Sequence, residues 1–208
     1  VHFHLARGRA GRSLHAPASR YAVEVTADGY SVFSDTGETL VNLVVQLAAL
    51  RQGMLRLAGA EGDGAIVNWL AADDVATVAP FVHEGGPDKE VVARIFVAPT
   101  TDRDLVLNYG RFAIAAYLTV PVYAEFHRWL GRGEMLQPMW DHWAAGDRQA
   151  ALAAIPEELV DTLIVHGTPE ACREHIARYQ ENGVTTPALA ILPFGLDQRQ
   201  AIRDLAPR

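Results

Sequence analysis

Residues 48–75, AALRQGMLRLAGAEGDGAIVNWLAADDV, decide the fold. They contain the end of an apolar strand, a loop of small residues, a helix from about Gly53 to Glu61, a second apolar strand at 63–69 and the start of another helix. A strand, a helix and a strand in direct succession are typical of parallel strands joined by right-handed crossovers. The stretch therefore predicts a strand–helix–strand unit whose loops hold a ligand.

The alternation of strands and helices continues beyond this stretch. Near-continuous apolar runs, typical of strands covered on both faces of a parallel sheet, lie at 41–49, 63–69, 90–99 and 187–195. Residues 101–163 are predicted to be mostly helical. About four strand and helix units fit into the 208 residues, whereas a (β/α)8 barrel has eight strands and typically around 250 residues. The sequence therefore predicts an α/β fold of the (β/α)8 TIM-barrel type, of which this chain holds about half.

The clearest local signal is a helix near the C-terminus. Thr168 suits the N-cap, Pro169 the first helical position and Gly183 the C-terminal cap. An inward face with the spacing i, i+4 and i+7 is formed by Cys172, Ile176 and Tyr179. We therefore expect Cys172 to be a packing residue and not a nucleophile.

The N-terminal residues follow a different pattern, rich in Arg, Gly and Ser. Within them, YAVEV and YSVF alternate around TADG, which predicts a hairpin at 21–33. We therefore divide the chain into an irregular N-terminal segment, residues 1–40, and a barrel part, residues 41–208.

The composition limits the classes of partner and compartment. A formal net charge of −7 does not supply the basic surface that nucleic acids and anionic membranes require. The longest apolar run, at 112–124, is shorter than the roughly 20 residues that span a bilayer, and is predicted to be a buried helix. A single cysteine cannot form an internal disulfide. We therefore expect a cytoplasmic protein that binds neither nucleic acid nor membrane.

Three parts of the sequence resemble a known family. The stretch 47–75, GTPEACREHIARYQENGV at 167–184 and LPFG at 192–195 are similar to the luciferase-like monooxygenases, in particular to their coenzyme F420-dependent oxidoreductases. The likeness covers about 41–195 and is firmest at its two ends. It implies a TIM barrel that binds F420, or FMN in related branches, at the C-terminal ends of its strands. The four strands then correspond to the C-terminal half of the barrel.

The resemblance also implies an activity. It is hydride transfer between the deazaflavin F420 and a small organic substrate, with only part of the active site in this chain, because the family draws important ring-contacting and acid/base residues from the other half. Two alternatives stay open: an FMN-dependent monooxygenase of the same superfamily, and a shortened, non-catalytic flavin-binding module that dimerises. Half a barrel leaves sheet edges unpaired, so we expect a homo-oligomer or association with the other barrel half.

The loop that follows the first strand of the quoted stretch is the first candidate site. Small residues allow backbone N–H groups to approach a phosphate at a helix N-terminus, and Arg51 can add a direct charge. An ordinary βα loop with tightly packed alanines explains the same residues. The candidate cofactor-binding residues of this loop are Ala48, Ala49, Leu50, Arg51 and Gly53.

Further candidates lie at the end of the second strand and beyond. Asn68 can hydrogen-bond a ring edge or a phosphate, and Trp69 can form a pocket wall or belong to the core. Gly167 and Thr168 can cap a phosphate with their amides, although N-capping alone explains Thr168. His166, just before them, is a further candidate.

Six further histidines fall into three groups: one candidate proton donor, two near the N-terminus and three beside charged neighbours. His142, in MWDHWAAGD at 139–147, is a candidate proton donor, although packing of the two tryptophans is the more frequent outcome. His2 and His4 have no nearby Cys, Asp or Glu with which to bind a metal, so no metal is expected. Three histidines beside charged neighbours are interpreted as solvated surface residues: His83, His127 and His175.

Overall fold

The computed structural model describes residues 45–192, 195 and 197–206 in full, and residues 14–15, 21–26, 29–34 and 39–43 as backbone strands. Those four strands form an antiparallel sheet in the order β1-β2-β3-β4. Their bounds are β1 Leu14–His15, β2 Tyr21–Thr26, β3 Gly29–Ser34 and β4 Thr39–Leu43. The predicted hairpin corresponds to β2 and β3, which pair from Tyr21 opposite Ser34 to Thr26 opposite Gly29.

A second sheet of parallel strands follows. Its bounds are β5 Gln46–Ala48, β6 Gly64–Asn68, β7 Glu90–Ala98, β8 Ile164–His166 and β9 Thr186–Ile191. β6 lies between β5 and β7. β7 pairs with β6 on one edge and with β9 on the opposite edge. β8 pairs with the last residues of β7, Phe96 to Ala98, beyond the residues that pair with β6. Four of these strands, β5, β6, β7 and β9, are the ones that the apolar runs predicted.

The observed strands differ from the predicted ones in two ways. The run 41–49 is not one strand, because Thr39–Leu43 pairs with β3 in the antiparallel sheet and only Gln46–Ala48 pairs with β6. The second difference is that β6 is not buried on both of its faces. On β6, Ala65 and Val67 are buried, but Ile66 between them is 40% exposed. One face of β6 is therefore buried, whereas on the opposite face Ile66 is exposed and Asn68 contacts the helix at 121–129.

The helices form two groups. The first packs on the covered face of the sheet: α1 Gln52–Glu61, α2 Val75–His83, α8 Pro169–Glu181 and α9 Gln198–Leu205. Close contact between α1 and α2 requires Gly59, because a Cβ there would lie 2.1 Å from the Val82 carbonyl oxygen. The second group surrounds another buried cluster: α3 Arg103–Leu118, α4 Pro121–Trp129, α5 Gly133–Ala144, α6 Arg148–Ala153 and α7 Glu157–Leu163.

The apolar run 112–124 is not a single buried helix. α3 ends at Leu118 and α4 begins at Pro121, a residue that suits the first position of a helix. Phe112 is 65% exposed. None of the described helices is by itself long and apolar enough to cross a membrane, and only α3 and α4 together reach that length and composition, with a bend of 101° between them.

α8 follows the sequence pattern closely. The Thr168 hydroxyl accepts a hydrogen bond from the Ala171 N–H at 3.3 Å, and Gly183, with φ at +117°, lies just beyond the helix end. All three residues of the predicted inward face are buried. Burial raises the pKa of the Cys172 thiol to about 11, so the thiolate needed by a nucleophile is scarce at neutral pH.

Candidate functional site

A pocket of about 990 Å³ lies where the loop after β5, the ends of the strands and helix α4 meet. Its volume is at the upper end of the range for small-molecule sites. Six of the residues singled out from the sequence line it: Ala48, Ala49, Leu50, Arg51, Gly53 and Asn68. The fold therefore brings the candidates after β5 together with the one at the end of β6, at the edge of the sheet where α/β proteins build their sites.

The N-terminus of α1 opens into this pocket. Arg51 is the N-cap residue, and no side chain of the described residues caps the helix there. The first N–H groups of a helix have no partner within the helix, so they attract an anion. Space is available as well, because a Cβ placed on Gly53 would meet no atom within 4 Å.

Arginines give the pocket a positive lining. Arg51, Arg94 and Arg128 line it, against one carboxylate, Glu125. Glu125 lies 3.8 Å from Arg51 and 2.6 Å from Arg128. Arg94 has no carboxylate partner among the fully described residues, and its guanidinium lies over the ring of Phe96, 4.7 Å from the centroid. A ligand carrying several negative charges therefore suits this wall.

Helix α4 contributes residues that the sequence patterns did not indicate. Tyr123, Glu125 and Arg128 reach the pocket from α4, and Asn68 donates a hydrogen bond to the Tyr123 hydroxyl at 3.1 Å. The helix is separated from the strand ends by more than fifty residues of chain, since Asn68 and Tyr123 are 55 positions apart. Pro121 suits the first position of a helix, but the prediction of a single helix over 112–124 overlooks this signal.

Trp69 occupies a strained position immediately after Asn68. Its φ is +54°, a region that bulky residues rarely adopt. The indole does not line the pocket, because it is buried in the second cluster and stacks on Phe96 with 4.0 Å between ring centroids. The backbone is held by His127, whose Nε2 lies 2.9 Å from the Trp69 carbonyl oxygen. Since a carbonyl only accepts, Nε2 carries the proton.

The interpretation of His127 as a solvated residue is wrong. His127 is fully buried, and this burial, together with nearby Arg132, lowers its pKa to about 3. The imidazole is therefore neutral at physiological pH. His175 is also not a free surface residue, because it is half-buried. This burial and nearby Arg178 lower its pKa to about 4. The charged neighbours in sequence point to other faces of these helices.

The loop after Trp69 is fixed by further side chains. The Tyr179 hydroxyl donates to the Leu70 carbonyl oxygen at 2.9 Å, and the Asn182 side-chain amide donates to the Ala72 carbonyl oxygen at 2.9 Å. Both donors belong to α8 or its end. With so many contacts the loop keeps Asn68 and Trp69 in place before any ligand binds.

Gly167 and Thr168 lie elsewhere, at the turn from β8 into α8. The Gly167 N–H donates to the Thr100 carbonyl oxygen at 2.9 Å. His166, just before them, contacts Asp161 with 2.9 Å between Nε2 and Oδ1 and lines a smaller depression of about 590 Å³. The structure therefore does not bring these candidates to the large pocket.

Thr168 provides a test of its two interpretations. Replacing it with alanine is expected to lower the free energy of unfolding by about 1 kcal/mol, because the Ala171 N–H loses its cap. Thr168→Ser keeps the hydroxyl and should retain most of that stability. Urea denaturation measures both variants. If Thr168 only caps the helix, neither variant changes the affinity for a ligand, whereas a ligand contact would make the alanine variant bind more weakly.

The other histidines stay apart from the pocket. His142 is exposed in the last turn of α5 and lines neither depression. His83 is partly buried, with 3.2 Å between Nε2 and the Lys89 carbonyl oxygen. His2 and His4 are outside the described residues. In the described part of the chain, no group of three or more His, Cys, Asp or Glu side chains is arranged to hold a metal ion.

Known proteins are similar to this chain in sequence and in structure. A 5,10-methylenetetrahydromethanopterin reductase of Archaeoglobus fulgidus is 24% identical over 176 residues, which are 78% of this chain and 52% of that protein. Two solved structures share the fold. The coenzyme F420 dependent tetrahydromethanopterin reductase of Methanopyrus kandleri matches with a TM-score of 0.60 and 21% identity over 78% of this chain and 49% of that one. The other is an F420-dependent secondary alcohol dehydrogenase in complex with an F420-acetone adduct, with a TM-score of 0.55 and 16% identity over 82% and 51%.

These matches confirm the predicted fold class and the resemblance. The chain spans about half the length of the relatives it matches, as expected for about four of the eight units of a (β/α)8 barrel. The family described as luciferase-like monooxygenase matches residues 18–186, which include strands of the N-terminal sheet as well as most of the parallel sheet. With its parallel strands, the pocket at their ends and a family match over most of its length, the chain belongs to the luciferase-like monooxygenase family.

Proposed function

We propose that the chain takes part in F420-dependent oxidoreduction and that the pocket at the N-terminus of α1 holds part of the cofactor. One observation carries the proposal: an uncapped helix N-terminus and three arginines line one large pocket at the strand ends. The F420-dependent relatives support the identity of the ligand. When bound, F420 supplies the hydride chemistry, and the second reactant is a small organic molecule.

The residues fit the anionic tail of this cofactor. Free N–H groups of α1 and the Arg51 guanidinium provide donors for a phosphodiester or a carboxylate. Arg94 and Arg128 extend the positive wall, which suits an anion longer than the single phosphate of FMN. Ala48, Ala49 and Leu50 line the pocket at the same edge, and Asn68 offers an amide. In this proposal Gly167, Thr168 and His142 are outside the cofactor site.

The role of these residues is to bind and to orient. Among the described residues that line the pocket, the one carboxylate is the exposed Glu125, and none is a histidine. We therefore assign the present pocket to cofactor placement, and expect the groups that exchange a proton with the substrate to come from outside it. The prediction of a homo-oligomer, or of association with the other barrel half, belongs to the same proposal, because the apolar Ile66 is exposed on the sheet beside the pocket.

Fluorescence titration of the 208-residue chain with F420, and separately with FMN, tests the proposal. We expect F420 to bind more tightly than FMN. Arg51→Ala should weaken F420 binding about tenfold, as expected for loss of a hydrogen bond to a charged group. Arg56→Ala is the matched control, since Arg56 lies on α1 but pairs with Glu84 away from the pocket.

Each alternative function has its own result in this titration. Tighter binding of FMN than of F420 would favour the FMN-dependent monooxygenase. A stable homodimer that binds neither cofactor would favour an assembly module. Equal F420 affinities for the Arg51→Ala and Arg56→Ala variants would show that the cofactor binds outside this pocket.

A further inference from the structure

The orientation of the Asn68 amide is fixed by a backbone group. The Trp69 N–H lies 3.0 Å from Asn68 Oδ1. A backbone N–H only donates, so the atom it contacts is the amide oxygen, and the other end of the amide is the NH2 group. That NH2 lies 3.1 Å from the Tyr123 hydroxyl oxygen. The hydrogen bond between the two side chains therefore has one direction, with Asn68 donating and Tyr123 accepting.

This direction leaves the proton of the Tyr123 hydroxyl for a different partner. A tyrosine hydroxyl donates one hydrogen bond besides those it accepts. In residues 45–192, Asn68 is the one side chain that forms a hydrogen bond with this hydroxyl, and it is a donor. Tyr123 is half-buried and lines the large pocket. Its O–H group is therefore available to an acceptor atom that enters the pocket.

The surroundings hold this hydroxyl in place. The Tyr123 ring packs edge-on against Tyr117, with 5.6 Å between centroids. One turn further along α4, His127 donates to the Trp69 carbonyl oxygen. Residues i and i+4 share a helix face, so α4 contacts the end of β6 at two successive residues, Asn68 and Trp69. A donor positioned in advance saves the ligand the cost of ordering it.

We propose that the Tyr123 hydroxyl donates a hydrogen bond to an acceptor oxygen of the cofactor in this pocket, and that Asn68 is its positioning residue. The inference rests on the proposed function, because it takes F420 as the ligand. It assigns Tyr123 a role in binding and specificity that differs from that of the arginines. The Tyr123 hydroxyl recognises an oxygen atom through a directional hydrogen bond, whereas the arginines attract negative charge.

Binding of F420 to two tyrosine variants tests the role of the hydroxyl. Tyr123→Phe removes one oxygen and keeps the ring, and we expect it to weaken F420 binding about three- to tenfold. Tyr117→Phe removes a hydroxyl from the same aromatic group outside the pocket lining, and its affinity should stay within about twofold of the wild type. Fluorescence titration gives the affinities, and circular dichroism confirms that both variants are folded.

A change at Asn68 tests the positioning. In Asn68→Asp the side chain still accepts from the Trp69 N–H, but its second oxygen can only accept, so it draws the Tyr123 proton away from the ligand. The added negative charge will itself weaken F420 binding. The effect of Tyr123→Phe is therefore measured between Asn68→Asp and the double variant Asn68→Asp/Tyr123→Phe. We expect Tyr123→Phe to have almost no further effect there, in contrast to its effect beside Asn68.

The outcomes separate the two proposals. If the wild type binds F420 and Tyr123→Phe binds equally well, the role of the hydroxyl is disproved and the proposed function stands. If Tyr123→Phe weakens F420 binding equally in the wild type and in Asn68→Asp, Asn68 does not position the Tyr123 hydroxyl. If the wild type binds no F420 at saturating concentration, the proposed function fails for this chain, and the inference fails with it.

Discussion

Replacing Asp74 with alanine is expected to destabilise the folded chain by about 3–5 kcal/mol. Asp74 and Arg132 form a mostly buried ion pair, in which the two side chains are 10% and 15% exposed. Arg132 Nη2 donates to Asp74 Oδ1 at 3.0 Å, and Oδ2 accepts from the Ala71 N–H at 2.7 Å. Alanine leaves a poorly solvated guanidinium and a backbone N–H without partners, and both carry a desolvation cost.

Urea denaturation of a small set of variants measures this effect. Asp74→Asn keeps an acceptor oxygen and should lose less stability than alanine. Combining Asp74→Ala with Arg132→Met removes the unpaired charge, and we expect the double variant to be more stable than Asp74→Ala alone by about 1 kcal/mol or more. A loss below about 1 kcal/mol for Asp74→Ala would show that the pair does not anchor the loop after β6.

The second large effect is a loss of stability in acid that originates at His127. Burial and Arg132 lower its pKa in the folded chain to about 3, from the ordinary value of 6.5 for a histidine in water. The unfolded chain therefore takes up this proton first as the pH falls. The stabilising contribution is complete above pH 6.5 and is lost progressively between pH 6.5 and about 3, at about 1.4 kcal/mol per pH unit.

His127→Gln isolates this contribution. The glutamine amide can still donate to the Trp69 carbonyl oxygen, but it does not titrate. We expect the free energy of unfolding of the variant to depend less steeply on pH between 6 and 4.5, by about 1.4 kcal/mol per unit. Part of the pH dependence of the unfolding free energy remains in the variant, because the pKa of His175 is also lowered in the folded chain, to about 4. Parallel curves for the wild type and His127→Gln would contradict the assignment of the acid sensitivity to His127.

The succession of strands and helices along the chain could largely be predicted because its signals are local. Between β5 and β7, the signal for each strand, loop and helix start spans only a few residues, and the caps of α8 lie in one short motif. The same locality explains the error at 41–49. Apolar character indicates that a run forms a strand, but it does not show which sheet the strand joins, and this run is divided between two sheets.

The pocket could be predicted only in part. The loop after β5 and Asn68 follow strands, and parallel strands bring their ends together. Tyr123, Arg128 and His127 come from α4, and its position depends on the bend after α3 and on packing between distant residues. Trp69 illustrates the remaining difficulty, since a tryptophan at a strand end suits either a pocket wall or a core, and only tertiary contacts show that it is core.

The central claim is that the pocket at the N-terminus of α1 holds F420, and its most direct test is X-ray diffraction from crystals of the chain soaked with F420. We expect difference density for the cofactor in the pocket, with an anionic part of the tail beside Arg51 and the first N–H groups of α1. Density at another place, such as the turn at Gly167 and Thr168, or no density at a saturating concentration, would contradict the claim.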